Sequence, residues 1–113
     1  MVEYAAQLDL VFGSLADPTR RDIFKRVTIA ELSVGDIAGH YKMSLAAISK
    51  HLKILEQAKL IRKRRNGRQQ LVVAVPITLR DVQSYLAQYE QLWNQRFDVL
   101  EELLKEEQNH ARS

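Results

Sequence analysis

The chain contains no cysteine, so it can form neither a disulfide nor a thiolate metal site. It has only two prolines and four glycines, and no linker or low-complexity segment interrupts it, which predicts a single domain over residues 1–113. No apolar run reaches the roughly 20 residues that a membrane span requires. The first residues, MVEYAAQLDLVF, lack the basic start and long apolar region of a signal peptide. We therefore expect a cytoplasmic protein with no membrane partner.

Residue patterns that support catalysis or metal binding are also missing. No nucleophile stands with a base in a known motif and no glycine-rich loop could hold a phosphate, so we expect no enzymatic activity. The three histidines, His40, His51 and His110, come without cysteines or a convergent set of carboxylates, which predicts no metal site and no cofactor. His51 stands beside Leu52 in a helical pattern, which favours packing or a phosphate contact over metal ligation.

The charge is distributed unevenly, although the net charge is only +3. Nine basic residues and a single acid, Glu56, lie between Lys42 and Arg68. Five acids and one lysine lie between Asp98 and Glu107. This asymmetry predicts a basic face for a polyanionic partner and a separate acidic face.

Two short helical patterns joined by a tight turn predict a helix-turn-helix over residues 33–57. Ser33 and Asp36 resemble a capping box at the start of the first helix, and Ser44 is suited to cap the second. Apolar residues at helical spacing in the second helix, Ile48, Leu52 and Leu55, are expected to face inward. A further helix is predicted to open at Asp17-Pro18, upstream of the motif.

The segment KLIRKRRNGR, residues 59–68, predicts a basic β-hairpin, which we call the wing and place at residues 60–75. Asn66-Gly67 favours a tight turn because both residues tolerate positive φ. Leu71, Val73 and Val75 then alternate like a strand with one buried face, although two- and three-residue loops predict different registers. The resulting fold class is mainly α with a small β-hairpin, a winged helix-turn-helix.

A long final helix is predicted over residues 79–107, capped near Thr78 and Asp81. Its apolar residues stay on one side over roughly 43 Å, which a monomer of this size could not cover. We expect a symmetric homodimer, with an N-terminal helix predicted from about Ala5 to Gly13 joining the interface, in preference to a final helix folded back on its own core. The predicted interface residues are Leu8, Phe12, Val82, Leu86, Tyr89, Trp93, Phe97, Leu100 and Leu104.

Double-stranded DNA is the predicted partner, because the second helix of a helix-turn-helix lies in the major groove. Small and basic residues on its outward side would read bases or phosphates, while the wing arginines would reach flanking phosphates or a narrow minor groove. The predicted DNA-binding residues are Lys42, Ser44, Ala46, Ala47, Ser49, Lys50, Lys53, Arg62, Arg64, Arg65 and Arg68.

The runs LADPTRRDIFKRV, SVGDIA and MSLAAISKHLKILEQAKLI resemble the ArsR/SmtB family of winged-helix repressors. The resemblance covers residues 12–75, and the pattern from Ser49 to Leu55 is the most specific part. It implies a homodimeric bacterial repressor on a palindromic operator. The metal-binding cysteines of many members are absent, and Ser33 and Gly35 stand in the matching stretch. Gln83 follows Asp81 where other members carry a metal-binding histidine.

Two alternative functions stay open at this stage. Tyr85, Tyr89, Trp93 and Phe97 could line a pocket for an unknown small-molecule effector, although aromatic residues at helical spacing are more often core or interface. The winged fold could also serve as a protein-interaction module that docks through its final helix.

Overall fold

The structure, a computed structural model, describes residues 2–112 and the side chains of residues 6–111. Residues 2–112 form α1 (Val2–Ser14), α2 (Pro18–Ile29), β1 (Leu32–Ser33), α3 (Val34–Ala38), α4 (Leu45–Gln57), β2 (Ile61–Asn66), β3 (Gln69–Ala74) and α5 (Pro76–Arg112). They divide into two compact units, one ending at Leu79 and the other beginning at Arg80. None of the helices in this range is long and apolar enough to span a membrane. The predicted fold class is confirmed.

Side chains cap the starts of α2, α3 and α4. Asp17 Oδ2 accepts the Arg20 N–H at 3.0 Å at the start of α2, where Pro18 occupies the first helical position. Ser33 Oγ accepts the Asp36 N–H at 3.0 Å, and Ser44 Oγ accepts the Ala47 N–H at 3.1 Å. These bonds satisfy backbone donors that helix starts leave unpaired, so the predicted helix starts are confirmed.

The core of the first unit lies between α2, α3, α4 and the sheet, and α1 packs against α4. Ile48, Leu52 and Leu55 of α4 are fully buried, as predicted. The other members, contributed by the other elements of the unit and the turns between them, are Leu8, Val11, Ile23, Phe24, Val27, Ile37, Ala58, Leu60, Ile61 and Val72. This packing leaves the opposite side of α4 outside the core.

A three-stranded antiparallel sheet, in the order β1-β3-β2, completes the unit. The strand β1 was not predicted, because two residues are too few for an alternating pattern. Leu32 pairs with Val72 and Ser33 pairs with Leu71. Ser33 is therefore both a strand residue and the N-cap of α3.

The hairpin turn lies one residue later than predicted. Asn66 pairs with Gln69 as the last strand residue, so the loop is Gly67-Arg68. Gly67 has φ 64°, whereas Asn66 does not adopt positive φ. A glycine with positive φ at the first loop position is the requirement of a type II′ turn, whose twist matches that of the strands. The two-residue loop fixes the register that the sequence left open.

The predicted face of β3 was wrong by one residue. Val72 is fully buried, whereas Leu71, Val73 and Val75 are only partly buried. Val72 pairs with Lys63 and Leu32, and this face of the strand is the one that meets the core. Because side chains alternate along a strand, Leu71 and Val73 lie on the face opposite to that of Val72, and Val75 follows the end of β3.

The C-terminus of α4 has the bonds of a Schellman motif. Lys59 N–H donates to Glu56 O at 3.0 Å, and Leu60 N–H donates to Leu55 O at 3.1 Å. Lys59 occupies the left-handed position with φ 61°, where glycine is usual. Thr78 Oγ1 donates to Lys59 O at 2.5 Å, so Thr78 binds this turn instead of capping α5.

The final helix is longer than predicted at both ends. It begins at Pro76 rather than Leu79 and continues to Arg112 rather than Glu107. Proline suits the first turn of a helix, because it lacks the N–H that would be unpaired there and its φ is already helical.

Candidate nucleic-acid interface

The outward side of α4 carries the predicted base-reading residues. Because Ile48, Leu52 and Leu55 turn inward, the opposite side is left to small and basic residues. Ala47, which flanks the buried stripe, is partly buried and the least accessible of the predicted set. The exposed members are Ser44, Ala46, Ser49, Lys50 and Lys53.

The turn before α4 is fastened to α2 by a tyrosine. Tyr41 Oη donates to Asp22 Oδ2 at 2.5 Å, and Arg26 Nε donates to the same oxygen at 2.9 Å. The Arg26 guanidinium also lies 5.8 Å from the centre of the Tyr41 ring. The predicted contact residue Lys42 follows directly, exposed on the turn that this cluster holds.

The cluster shifts the pKa of its members in consistent directions. The hydrogen bond from Tyr41, followed by that from Arg26, lowers the pKa of the Asp22 carboxyl. Burial, followed by the bond to Asp22, raises the pKa of the Tyr41 hydroxyl. Tyr41 therefore stays a neutral donor to an ionised carboxylate at neutral pH.

Arg20 joins three helices near the middle of α4. Its Nε donates to Ser14 O at 2.6 Å and its Nη2 donates to Gly13 O at 3.3 Å, both at the end of α1. Its Nη1 lies 3.4 Å from Nδ1 of His51, which is partly buried on α4. Sequence reasoning singled out His51 but missed Arg20, because their separation of 31 residues leaves no local pattern.

Alternation along β2 divides the basic side chains of the wing between two faces. Arg62 and Arg64 share the face of their partners Val73 and Leu71, which is turned away from the core. Lys63 and Arg65 lie on the other face, where Lys63, which the prediction omitted, is partly buried opposite Val72. Arg68 lies in the turn. All four predicted wing arginines are exposed.

One wing arginine already has a partner. Arg64 Nη2 forms an ion pair with Glu31 Oε2, which lies just before β1. The two side chains are 42% and 46% exposed, so water screens the pair and its contribution to stability is small. A phosphate that binds Arg64 must still compete with this carboxylate.

The α5 stripe is the apolar side of the second unit. Beyond Val82, which is buried, its large apolar side chains are exposed, and Trp93 is 55% exposed. Tyr85 and Tyr89 pack edge to face at 5.4 Å, and Trp93 and Phe97 lie 5.8 Å apart. The exposed members of the α5 stripe are Leu86, Tyr89, Leu92, Trp93, Phe97, Val99, Leu100, Leu103 and Leu104, of which Leu92, Val99 and Leu103 were not predicted.

The predicted interface residues of α1 differ in exposure. Leu8 is 8% exposed and belongs to the core of the chain, whereas Phe12 is 43% exposed. Leu8, like Val82, is thus covered without a second chain, and Phe12 is the predicted α1 residue left accessible. Among the side chains of residues 6–111, no group of three His, Cys, Asp or Glu could hold a metal ion.

Residues 15–64 match a family described as a helix-turn-helix domain. The chain is 44% identical over 57 residues to the transcriptional repressor SdpR of Bacillus subtilis, covering 50% of this chain and 63% of that protein. It is 37% identical over 67 residues to a transcriptional repressor SmtB homolog of Synechocystis, covering 59% and 51%. The chain therefore spans between half and two thirds of the length of these relatives.

Two solved structures align with a larger part of the chain than these two relatives do. A crystal structure of the ArsR family transcriptional regulator RHA00566 has a TM-score of 0.73 at 31% identity, covering 80% of this chain and 93% of that one. The homodimeric winged helix-turn-helix DNA-binding domain of a Mycobacterium bovis protein has a TM-score of 0.64 at 25% identity, covering 80% and 86%.

Proposed function

This chain belongs to the ArsR family of transcriptional regulators, and we propose that it binds operator DNA as a homodimer and represses transcription. The observation that carries the proposal is the pairing of two DNA-compatible elements in the unit that ends at Leu79. The outward side of α4 offers small and basic side chains, and the wing adds exposed arginines.

The two elements would make different kinds of contact with the DNA. Ser44, Ala46 and Ser49 at the start of α4 allow close approach to base edges in the major groove. Arg62, Arg65 and the other wing cations would bind phosphates, which position the protein and supply affinity without reading sequence. Changes at Ser49 should therefore alter operator preference more than overall affinity.

A second copy of the chain would cover the α5 stripe. Monomeric proteins rarely expose so continuous an apolar surface, and a helix that is apolar along one side needs something to bury that side. The Mycobacterium bovis neighbour, which is described as homodimeric, supports the same arrangement. A two-fold symmetric dimer would match a palindromic operator with half-sites about one helical turn apart.

DNA binding is tested by selecting bound fragments from a genomic pool and measuring their affinity at several salt concentrations. The test variant replaces Arg62, Arg65 and Arg68 with Gln. The control variant replaces Lys25, Arg80 and Lys105, exposed cations outside both elements, and so changes the net charge equally. We expect the wing variant to bind more weakly and to shallow the slope of log K against log salt by about 0.9 for each phosphate that the protein no longer neutralises. The control should behave like the wild-type chain.

Equal losses in the two variants would show that net charge alone attracts the DNA. The absence of any fragment bound by the wild-type chain would contradict the proposal and favour a protein-interaction module. A repressor of bacterial genes would work in the cytoplasm, where the DNA lies. Sensing of an effector near Trp93 stays a prediction, tested by Trp93 fluorescence with a metabolite panel.

A further inference from the structure

We propose that His51 donates its Nε2–H to a phosphate oxygen of the DNA backbone, and that Arg20 holds the imidazole in the tautomer this contact requires. The inference rests on the proposed function, since it concerns the same DNA-binding surface. His51 thereby becomes a phosphate-binding residue and Arg20 a positioning residue that acts through it.

The position of the Arg20 guanidinium is fixed from the α1 side. Two of its nitrogens donate to the Ser14 and Gly13 carbonyls, at 2.6 and 3.3 Å. The backbone N–H of Arg20 also donates to Asp17, which fixes the start of α2. The remaining terminal nitrogen, Nη1, is the one that lies 3.4 Å from His51 Nδ1.

This contact determines where the ring proton resides. A guanidinium has donors only, so His51 Nδ1 must accept, and a neutral ring then carries its proton on Nε2. The Asp17 carboxylate lies 4.0 Å from Nδ1, which is too far for a hydrogen bond. The contact between Arg20 and Nδ1 therefore makes Nε2 the donor nitrogen of the ring.

The second ring nitrogen, Nε2, is not used by the contacts that position the ring. His51 makes its contacts to Arg20 and Asp17 through Nδ1. Nε2 is therefore the ring nitrogen left for an outside acceptor, on a side chain that is 19% exposed.

The place of His51 on α4 favours phosphate over base as the acceptor. It lies one helical turn after Ala47 and next to Lys50, both in the predicted DNA-binding set. It also flanks the buried stripe at Leu52, so its exposed edge lies at the side of the helix and not at the tip that approaches the groove floor. A phosphate oxygen is an anionic acceptor, which strengthens such a bond, and the cationic Arg20 behind the ring polarises the N–H further.

Two neutral substitutions separate this role from packing. His51→Gln can place an N–H near the position of Nε2, whereas His51→Asn ends near Nδ1, where its oxygen can accept from Arg20 without reaching the phosphate. We expect His51→Asn to bind DNA about tenfold more weakly, on a wild-type-selected fragment and on a mixed-sequence duplex alike. His51→Gln should retain most of the affinity. Thermal unfolding of both variants monitors the fold.

The salt dependence gives a readout that a structural role would not predict. A neutral donor displaces no counterion, so the slope of log K against log salt should stay unchanged in His51→Asn. Lys50→Ala, in contrast, should shallow the slope by about 0.9 if it removes one phosphate contact. Wild-type affinity in His51→Asn, a change confined to sequence preference, or a shallower slope would each overturn the proposal. Failure of the wild-type chain to bind either DNA would instead overturn the proposed function.

The tautomer can be observed without DNA. Long-range proton–nitrogen NMR of the imidazole should show the proton on Nε2 in the wild-type protein and a mixture of tautomers in Arg20→Ala. A proton on Nδ1 in the wild-type protein would overturn the assignment. This measurement keeps the proposal testable even where a His51 variant fails to fold.

Discussion

At the scale of single residues, Lys59 occupies a backbone position that suits glycine better. Its φ of 61° lies in the left-handed region, where the Cβ of an L-residue meets backbone oxygen. We expect Lys59→Gly to raise the free energy of unfolding by about 1 kcal/mol, because glycine adopts this conformation without that clash. Urea unfolding at one fixed protein concentration measures the change. Lys59→Ala, which removes the charge but keeps Cβ, serves as the control and should gain nothing.

The Tyr41–Asp22 hydrogen bond predicts a pH-dependent contribution to stability. Asp22 has a folded-state pKa below the ordinary value of 3.8, so the stabilisation is fully present above that value and is lost as pH falls through the folded pKa. Tyr41→Phe should therefore lower the unfolding temperature at neutral pH, by an amount that shrinks in acid. A difference between the two proteins that is the same at every pH would assign the effect to packing.

Sequence patterns predicted the local features of single residues better than the long-range ones. Asp17, Ser33 and Ser44 were correctly identified as caps, because each bonds to a backbone N–H three residues on. The contacts of Tyr41 and Arg20 span 19 and 31 residues, and no spacing rule connects such pairs. The side chains that hold the candidate site in place could therefore not be predicted from the sequence.

At the scale of elements, the wing shows how a one-residue error propagates. Asn66-Gly67 correctly predicted a hairpin, but the loop is Gly67-Arg68, and the buried residue of β3 is Val72. Composition locates a turn, whereas the register depends on which two residues form its loop. The same register decides which wing cations share a face.

The Glu31 ion pair predicts that neighbouring wing arginines differ in their contribution to DNA binding. Arg65→Ala should shallow the salt slope of DNA binding by about 0.9, the value for one phosphate that is no longer neutralised. Arg64→Ala should have a smaller effect, because Arg64 must leave Glu31 to bind DNA. Glu31→Gln should tighten binding. Equal slopes for the two arginine variants, with no effect at Glu31, would contradict this ranking.

At the scale of the whole molecule, the α5 stripe predicts a dimer that one charge can break. Leu100→Glu places a carboxylate in the middle of the exposed apolar side chains, and burying it in an interface would be costly. Asn94→Glu adds the same charge to the same helix outside the stripe. Sedimentation should show a monomer for Leu100→Glu and a dimer for Asn94→Glu. A wild-type chain that sediments as a monomer would contradict the proposed dimer.

Ser33 connects the wing to the helix-turn-helix. Ser33 pairs with Leu71 in the sheet and also caps α3. The wing and the helix-turn-helix are therefore connected through a single residue. A peptide containing only residues 33–57 would lack β3, the strand with which Ser33 pairs. A chain without the wing would lose the same pairing at the start of α3. Recombination or protein engineering that transfers the candidate DNA-binding surface must therefore keep the segment from Leu32 to Ala74 intact, together with α2, whose Asp22 binds Tyr41.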